Sequence, residues 1–317
     1  MNFEAVRKRL VGPMETVPTI LDERNQVDLG ATADVVALLV EAGIGTQCGF
    51  LLVGGAVGQF TCLTTGERKA LAEACVKAAR GGVPVVVGCQ ASGTDQAIDL
   101  ARHAADVGAD AVQLSPPHYF FHPQLSQDDV FRFFADVAGE AEVAIVGYHN
   151  WWASVGIAPR TLRRLADEVE GFVGVKWRGR DDHETHLGYR MCADRISMIE
   201  NAFHLTLTTP HQMGARGFVS YVGLVWPEHD LELWRLLEEK RYVEATSKIR
   251  TLAIPLYELA NSFPGDQSNV MAELLRLAGR RTWTPRRPAR PLSPVNREQL
   301  RQLLVGAGAP FLKRATT

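Results

Sequence analysis

What this 317-residue sequence lacks narrows its chemistry first. No stretch reaches the roughly 18 uninterrupted apolar residues of a membrane span, so no membrane partner is expected. Charge of one sign is not in excess: 34 Lys+Arg stand against 36 Asp+Glu, a formal charge of −2. That balance removes the global field that draws a chain to nucleic acid or anionic lipid. Cysteine is sparse, and the five present, Cys48, Cys62, Cys75, Cys89 and Cys192, are odd in number and form no C-x-x-C pair. Such spacing excludes a disulfide framework and a zinc knuckle and suits the reduced thiols of a cytosol. The opening residues, Met1 to Arg9, lack the apolar segment of a secretory signal, and a cytoplasmic location is expected. Small molecules and further copies of the chain are the expected partners.

What is present is a repeating alternation. With 46% hydrophobic residues the chain supports a full buried core, and short β-branched runs alternate with longer amphipathic stretches, the pattern of parallel βα units. Eight runs are expected as strands: Val17 to Ile20, Gly49 to Val53, Pro84 to Gly88, Ala111 to Ser115, Val143 to Tyr148, Phe172 to Trp177, Ser197 to Asn201 and Gly217 to Tyr221. Between them Glu67 to Val76, Asp95 to Ala105 and Asp128 to Val137 carry helical apolar faces, and glycines such as Gly43, Gly81 and Gly108 stand where helices should end. The fold class is therefore α/β, a (β/α)₈ TIM barrel. After the eighth run only helical spacing remains, predicting a barrel over 1–239 and a helical C-terminal domain over 240–317. The basic, proline-broken segment Arg280 to Pro291 reads as a solvated, extended connection.

In such a barrel the reacting groups stand at the C-terminal ends of strands. The sixth run is apolar until Lys176 and the fifth ends in Tyr148. A desolvated lysine keeps a neutral amine that can attack a carbonyl, and a phenol can both give and take the proton. The plainer alternatives are a surface lysine opening a loop and a tyrosine that only packs. The turn Gly54-Gly55-Ala56-Val57-Gly58 follows the second run and offers backbone N–H groups to a carboxylate, although it is not G-x-G-x-x-G.

Five segments in register resemble one family. Gly55-Ala56-Val57-Gly58-Gln59-Phe60, Leu114-Ser115-Pro116-Pro117-His118-Tyr119, Tyr148, Gly174-Val175-Lys176 and Gly214 to Ser220 are together similar to the dihydrodipicolinate synthase/N-acetylneuraminate lyase family. The resemblance covers nearly the whole chain. It implies a class I Schiff-base aldolase or dehydratase acting on pyruvate or a substituted 2-oxo acid, with a three-helix tail and a tetrameric or dimeric assembly. Lys176 would be the Schiff-base lysine, Tyr148 the catalytic tyrosine and Gly55, Ala56 and Val57 the carboxylate-binding turn. No metal and no organic cofactor is implied.

Departures from the family pattern narrow the reading. The family commonly has G-T-T-G-E or G-S-T-G-E where this chain has Gly55-Ala56-Val57-Gly58-Gln59, so the hydroxyls of a synthase-type proton relay are missing. His149-Asn150-Trp151-Trp152 replaces the stretch whose arginine engages the second substrate of dihydrodipicolinate synthases. The expected function is therefore another lyase of the family. A sugar-acid dehydratase of the 5-dehydro-4-deoxyglucarate type is one alternative, an aromatic hydratase-aldolase a second, and a silent 2-oxo-acid-binding homologue a third. Trp151, Trp152 and Trp177 follow strand ends and are expected near the substrate, and Glu200 with Asn201 and Ser220 with Tyr221 are expected to line the pocket. His118 would face a neighbouring subunit's site. The cluster Asp181 to His186 could hold a metal, but it reads better as a loop or helix start.

Overall fold

Runs such as Leu51-Leu52-Val53 and Val85-Val86-Val87 show no polar alternation, which demands burial on both faces. The chain meets that demand by closing eight parallel strands into a barrel in sequential order. This is a computed structural model, and it describes residues 1–45, 48–117, 125–201, 205–263 and 267–313. The strands are β1 (Gly12–Val17), β2 (Phe50–Val53), β3 (Val85–Gly88), β4 (Ala111–Leu114), β5 (Ile145–Tyr148), β6 (Phe172–Trp177), β7 (Ser197–Glu200) and β8 (Ala215–Ser220). Seven fall on the expected runs. The first does not: Pro18 to Ile20 lie beyond the end of β1, which is Gly12-Pro13-Met14-Glu15-Thr16-Val17. A proline and a carboxylate disguise that strand, yet all six of its residues are buried, Glu15 completely.

Helices α1 (Phe3–Arg9), α2 (Leu29–Glu41), α3 (Thr65–Ala79), α4 (Thr94–Asp106), α5 (Gln127–Ala141), α6 (Pro159–Glu168), α7 (Asp182–Cys192), α8 (Thr208–Gln212) and α9 (Pro227–Glu238) surround the barrel. Their starts follow local chemistry: Thr64 and Ser126 close reciprocal caps with Glu67 and Asp129, and Asp28 and Asp181 accept the N–H groups of Ala31 and Glu184. Side chains of one parity fill the barrel. Met14, Phe50, Val86, Ala111, Val146 and Ile199 form an inner core that Val6 and Leu10 of the N-terminal segment plug from below.

Beyond α9 the chain is helical, with α10 (Tyr242–Lys248), a π-helical turn at Ile249–Ala253, α11 (Ile254–Ser262), α12 (Gln267–Leu277) and α13 (Pro294–Gly306). Leu252, Leu256, Met271, Leu275 and Leu304 from these helices join the same apolar core as the barrel's outer face. No helix among the described residues is long and apolar enough to cross a membrane.

The segment before α13 corrects an expectation. Residues 280–291 are extended but only partly solvated: Arg281, Thr284, Arg287, Pro288, Arg290 and Pro291 are exposed, whereas Trp283 is buried and Arg286 is held on the loop after β2. Its backbone N–H donates to Gln59 Oε1 at 3.2 Å, and its guanidinium donates to Cys62 O at 2.8 Å and to Glu67. The arginine finds a half-buried carboxylate partner and the carbonyls of Cys62 and Asn25, which a flexible linker would not offer.

Packing between α7 and β6 supplies a stability test. Gly188 lies against the fully buried indole of Trp177, so a Cβ there would overlap the ring. Gly188→Ala is expected to destabilise the fold by about 1–2 kcal/mol, the overlap outweighing the gain of alanine in a helix. A lowered urea midpoint with unchanged slope is the readout; an unchanged or raised midpoint would contradict the packing.

Candidate active site

Parity along the strands decides which side chains meet above the inner core. Successive residues of a strand point to opposite faces, so Lys176 faces the interior while Trp177 faces the helices. Tyr148 and Lys176 are direct partners in the β5–β6 register. Both open into a cavity of about 700 Å³ at the C-terminal mouth, joined there by Thr16, Leu52, Asn201 and Val219.

The lysine Nζ lies 4.3 Å from the centroid of the Tyr148 ring. Lys176 is only 6% exposed, and burial pushes its ammonium down to about 7. A large fraction of the amine is therefore neutral near physiological pH. Tyr148 is equally buried, and its phenol is held well above its ordinary value by desolvation, with the Asn201 side chain opposing the rise. At neutral pH it is a proton-bearing group. An amine poised near neutrality against a protonated phenol is an arrangement for carbonyl addition with proton return.

The turn after β2 closes one side. Gly54 adopts φ +67°, and Gly88 on β3 has no room for a Cβ against the Gly54 carbonyl, so two glycines let β2 bend inward. Ala56 and Val57 reach the cavity, while Gly55 lies against the Leu52 side chain. Among the described residues neither the Ala56 nor the Val57 N–H donates to a carbonyl, leaving two donors for an anion. Thr19 Oγ1 pins the turn through Gly58 O at 2.7 Å, and Gln59 ties it to Arg286.

Trp151 and Trp152 also line the cavity, edge to face at 5.3 Å, with Trp152 edge-on to Tyr148 at 6.0 Å. Three expected lining residues are elsewhere. Trp177 points outward, donates Nε1–H to Thr185 O at 3.0 Å and packs on the His149 ring. Glu200 also points to the helix layer, where it accepts the Tyr189 hydroxyl at 2.7 Å. Ser220 donates to Asp230 of α9 and accepts the Val222 and Gly223 amides. Each is one residue out of phase, and the neighbours of correct parity, Asn201 and Tyr221, line the cavity instead. His118 lies outside the described residues.

Other lining groups carried weaker sequence signals. Arg178 follows Lys176 by two residues and shares its side of the strand, a relation the period-two rule could have found. Tyr257, Asn261 and Phe263 descend from α11, and Gln267 and Ser268 from the start of α12, as a roof; nothing local in the sequence announces that docking. The segment Asp181 to His186 begins α7: the Asp181 side chain accepts Glu184 N–H at 2.7 Å, and Glu184 accepts Arg180 N–H at 2.6 Å. Among the described residues no three His, Cys, Asp or Glu side chains gather as a metal site.

Residues 9–307 match the model of the dihydrodipicolinate synthetase family. The chain belongs to that family. This family member is 28% identical over 309 residues to YagE of Escherichia coli (strain K12), whose assignment as a 2-dehydro-3-deoxy-D-gluconate aldolase is provisional, with 92% of this chain and 95% of YagE covered. A solved YagE structure in complex with pyruvate shares the fold at a TM-score of 0.85 and 23% identity, covering 94% of this chain and 98% of that one. The 4-hydroxy-tetrahydrodipicolinate synthase of Afipia carboxidovorans is 31% identical over 260 residues, covering 80% and 83%. Dihydrodipicolinate synthase from Aquifex aeolicus superimposes at a TM-score of 0.85 with 25% identity, covering 95% and 99%. As a member of this family the protein is an enzyme of the lyase class.

The depressed Lys176 value makes a direct prediction. Labelling of Lys176 by acetic anhydride, followed by peptide mass mapping, should rise with pH to a midpoint of about 7 and then level. Exposed lysines should keep rising to about pH 10; a Lys176 profile matching theirs would refute the desolvated amine.

Proposed function

We propose that this family member is a class I lyase in which Lys176 forms an iminium with pyruvate or a substituted 2-oxo acid. One observation carries the proposal: a buried amine poised near neutrality sits 4.3 Å from the ring of an equally buried tyrosine on the adjacent strand. The neutral Nζ attacks C2 of the oxo acid, and Tyr148 delivers and recovers the protons as the carbinolamine loses water. The Ala56 and Val57 amides hold the C1 carboxylate. Loss of a C3 proton gives the enamine, which attacks an aldehyde to form a C–C bond; in reverse, a 4-hydroxy-2-oxo acid breaks at C3–C4 and releases the aldehyde. In an iminium formed from a 4-hydroxy-2-oxo acid, loss of a C3 proton instead gives an enamine that can expel the C4 hydroxyl as water, leaving a C3=C4 double bond. Hydrolysis of the iminium frees the amine. The iminium is the electron sink, so these steps draw on no metal or organic cofactor.

Dihydrodipicolinate synthesis is not the reaction we assign, although relatives carry that name. Ala56 and Val57 supply no hydroxyl for a relay, and Trp151 and Trp152 occupy the stretch after Tyr148. Aromatic walls favour an aromatic hydratase-aldolase over a sugar-acid dehydratase, because indole faces stabilise flat apolar groups better than polyols. A silent binding homologue would have no use for the desolvated amine, whose burial is costly. The pyruvate held by YagE supports pyruvate as the first compound to try. We also infer a cytoplasmic homodimer or homotetramer, the reduced state of all five cysteines being compatible with that compartment.

Intact mass after incubation with pyruvate and borohydride tests the assignment. The wild type should gain one reduced pyruvyl adduct and Lys176→Ala none. Tyr148→Phe should still form the adduct while lowering kcat by roughly 10²–10⁴. An adduct persisting on Lys176→Ala would place the nucleophile at another lysine.

A further inference from the structure

We propose that Arg178 forms a distal anion subsite, and that the physiological substrate is a diacid: a 2-oxo acid whose far end carries a second carboxylate. The inference rests on the Schiff-base reading of Lys176 and adds what the other end of the substrate must be.

Among the described residues that line the cavity, two are cationic, Lys176 and Arg178, and none is acidic. An anionic group entering the pocket therefore meets no carboxylate among those residues. The C1 carboxylate lies one bond from the carbon that Nζ attacks and falls to the Ala56 and Val57 amides on the β2 side. Arg178 stands two residues beyond Lys176, just past the end of β6, where an extended backbone would carry it roughly 7 Å further toward the mouth. A cavity of about 700 Å³ is far larger than pyruvate needs, and Arg178 is among the residues that line it.

The guanidinium is held in place. Nη1 donates to Thr206 Oγ1 at 3.0 Å and lies 3.9 Å from Glu200, the fully buried carboxylate that Tyr189 anchors from behind. Glu200, expected to touch substrate, thus becomes a positioning residue for Arg178. Nη2 meets Asp182 at 3.3 Å, but the Asp182 side chain is 81% exposed. Exposed pairs of this kind are weak, so an incoming carboxylate can take the place of Asp182. The planar fork of an arginine suits a carboxylate in two-point contact.

Both readings of the distal half accept this chemistry, since an aromatic ring or a polyol chain can end in a carboxylate. The test therefore measures condensation of pyruvate with two aldehyde pairs matched except for the acid: 4-carboxybenzaldehyde against benzaldehyde, and succinic semialdehyde against butanal. The wild type should favour the acid member of at least one pair by roughly tenfold or more in kcat/KM, and the pair that shows it identifies the distal half as aromatic or aliphatic. Arg178→Met should bring that ratio to about one, with Arg178→Lys restoring part of it. No acid preference in the wild type, or an equal loss for both members in Arg178→Met, would overturn the subsite; the wild-type ratio needs no variant to fold. Borohydride trapping separates the two claims. A pyruvate adduct without acid preference overturns the subsite alone, whereas no adduct with pyruvate or longer 2-oxo acids overturns the Schiff-base reading and the subsite with it.

Discussion

The two-residue period of a strand buried on both faces is the constraint from which this molecule follows. In a closed barrel a side chain at a strand end has two destinations, the mouth or the helix layer, and a shift of one residue exchanges them. Lys176, Tyr148, Thr16 and Val219 have the inward phase. Glu15, Trp177, Glu200 and Ser220 have the outward one and are nonetheless buried. The outward polar groups are matched with helix residues rather than with substrate: Glu200 with Tyr189 of α7, Ser220 with Asp230 of α9. Glu15 shares the Asp230 site, and its carboxyl is pushed well above the usual range by burial and by that neighbouring acid. These pairs tie the helices to the strand ends that carry the chemistry, where an unmatched polar group would be costly.

Desolvation then converts position into reactivity. Lys176 lies within the apolar walls of the barrel top, and burial alone accounts for the fall in its pKa. A counter-carboxylate beside Nζ would favour the ammonium and remove the nucleophile. The acids nearest the site instead serve other groups: Glu200 faces Arg178, and Glu67 faces Arg286. Among the described residues the cavity lining itself carries no carboxylate, so Lys176 and Arg178 are its ionisable cations, the first held partly neutral by burial and the second flanked by Glu200 and Asp182 outside the lining.

Most of the fold could be read from the sequence because doubly buried strands and their glycine stops are local features. β6 matches its run residue for residue, from Phe172 to Trp177. β1 was hidden because Pro13 and Glu15 break an apolar pattern, and only the Asp230 and Gly223 surroundings of Glu15 make its burial intelligible. At the site, Lys176 and Tyr148 were legible as polar closures of apolar runs and as family matches. The outward phase of Trp177 follows from Lys176 beside it, whereas that of Glu200 and Ser220 was hidden, since the last residues of β7 and β8 carry no alternating pattern when both faces are buried. The roof was beyond reach for another reason: Tyr257 and Asn261 lie about 80 residues along the chain from Lys176, and only tertiary packing brings them over it.

The tail also supports the turn after β2. Within the turn the Gln59 N–H donates to Ala56 O at 2.9 Å, while among the described residues the Ala56 and Val57 N–H groups make no such bond, so the turn draws further support from outside. Thr19 supplies one point through Gly58 O, and Arg286 supplies another by joining Gln59, Cys62 and Glu67. Glu67 is at once the capping residue of α3 and the partner of Arg286, which holds its carboxyl down to about 2. One carboxylate thereby couples a helix start, the turn it follows and a segment more than 200 residues away. The proline-broken stretch that looks like a linker in the sequence is a brace across the barrel mouth, and the loss of hydroxyls at Ala56 and Val57 leaves that brace untouched because it acts through the backbone and Gln59.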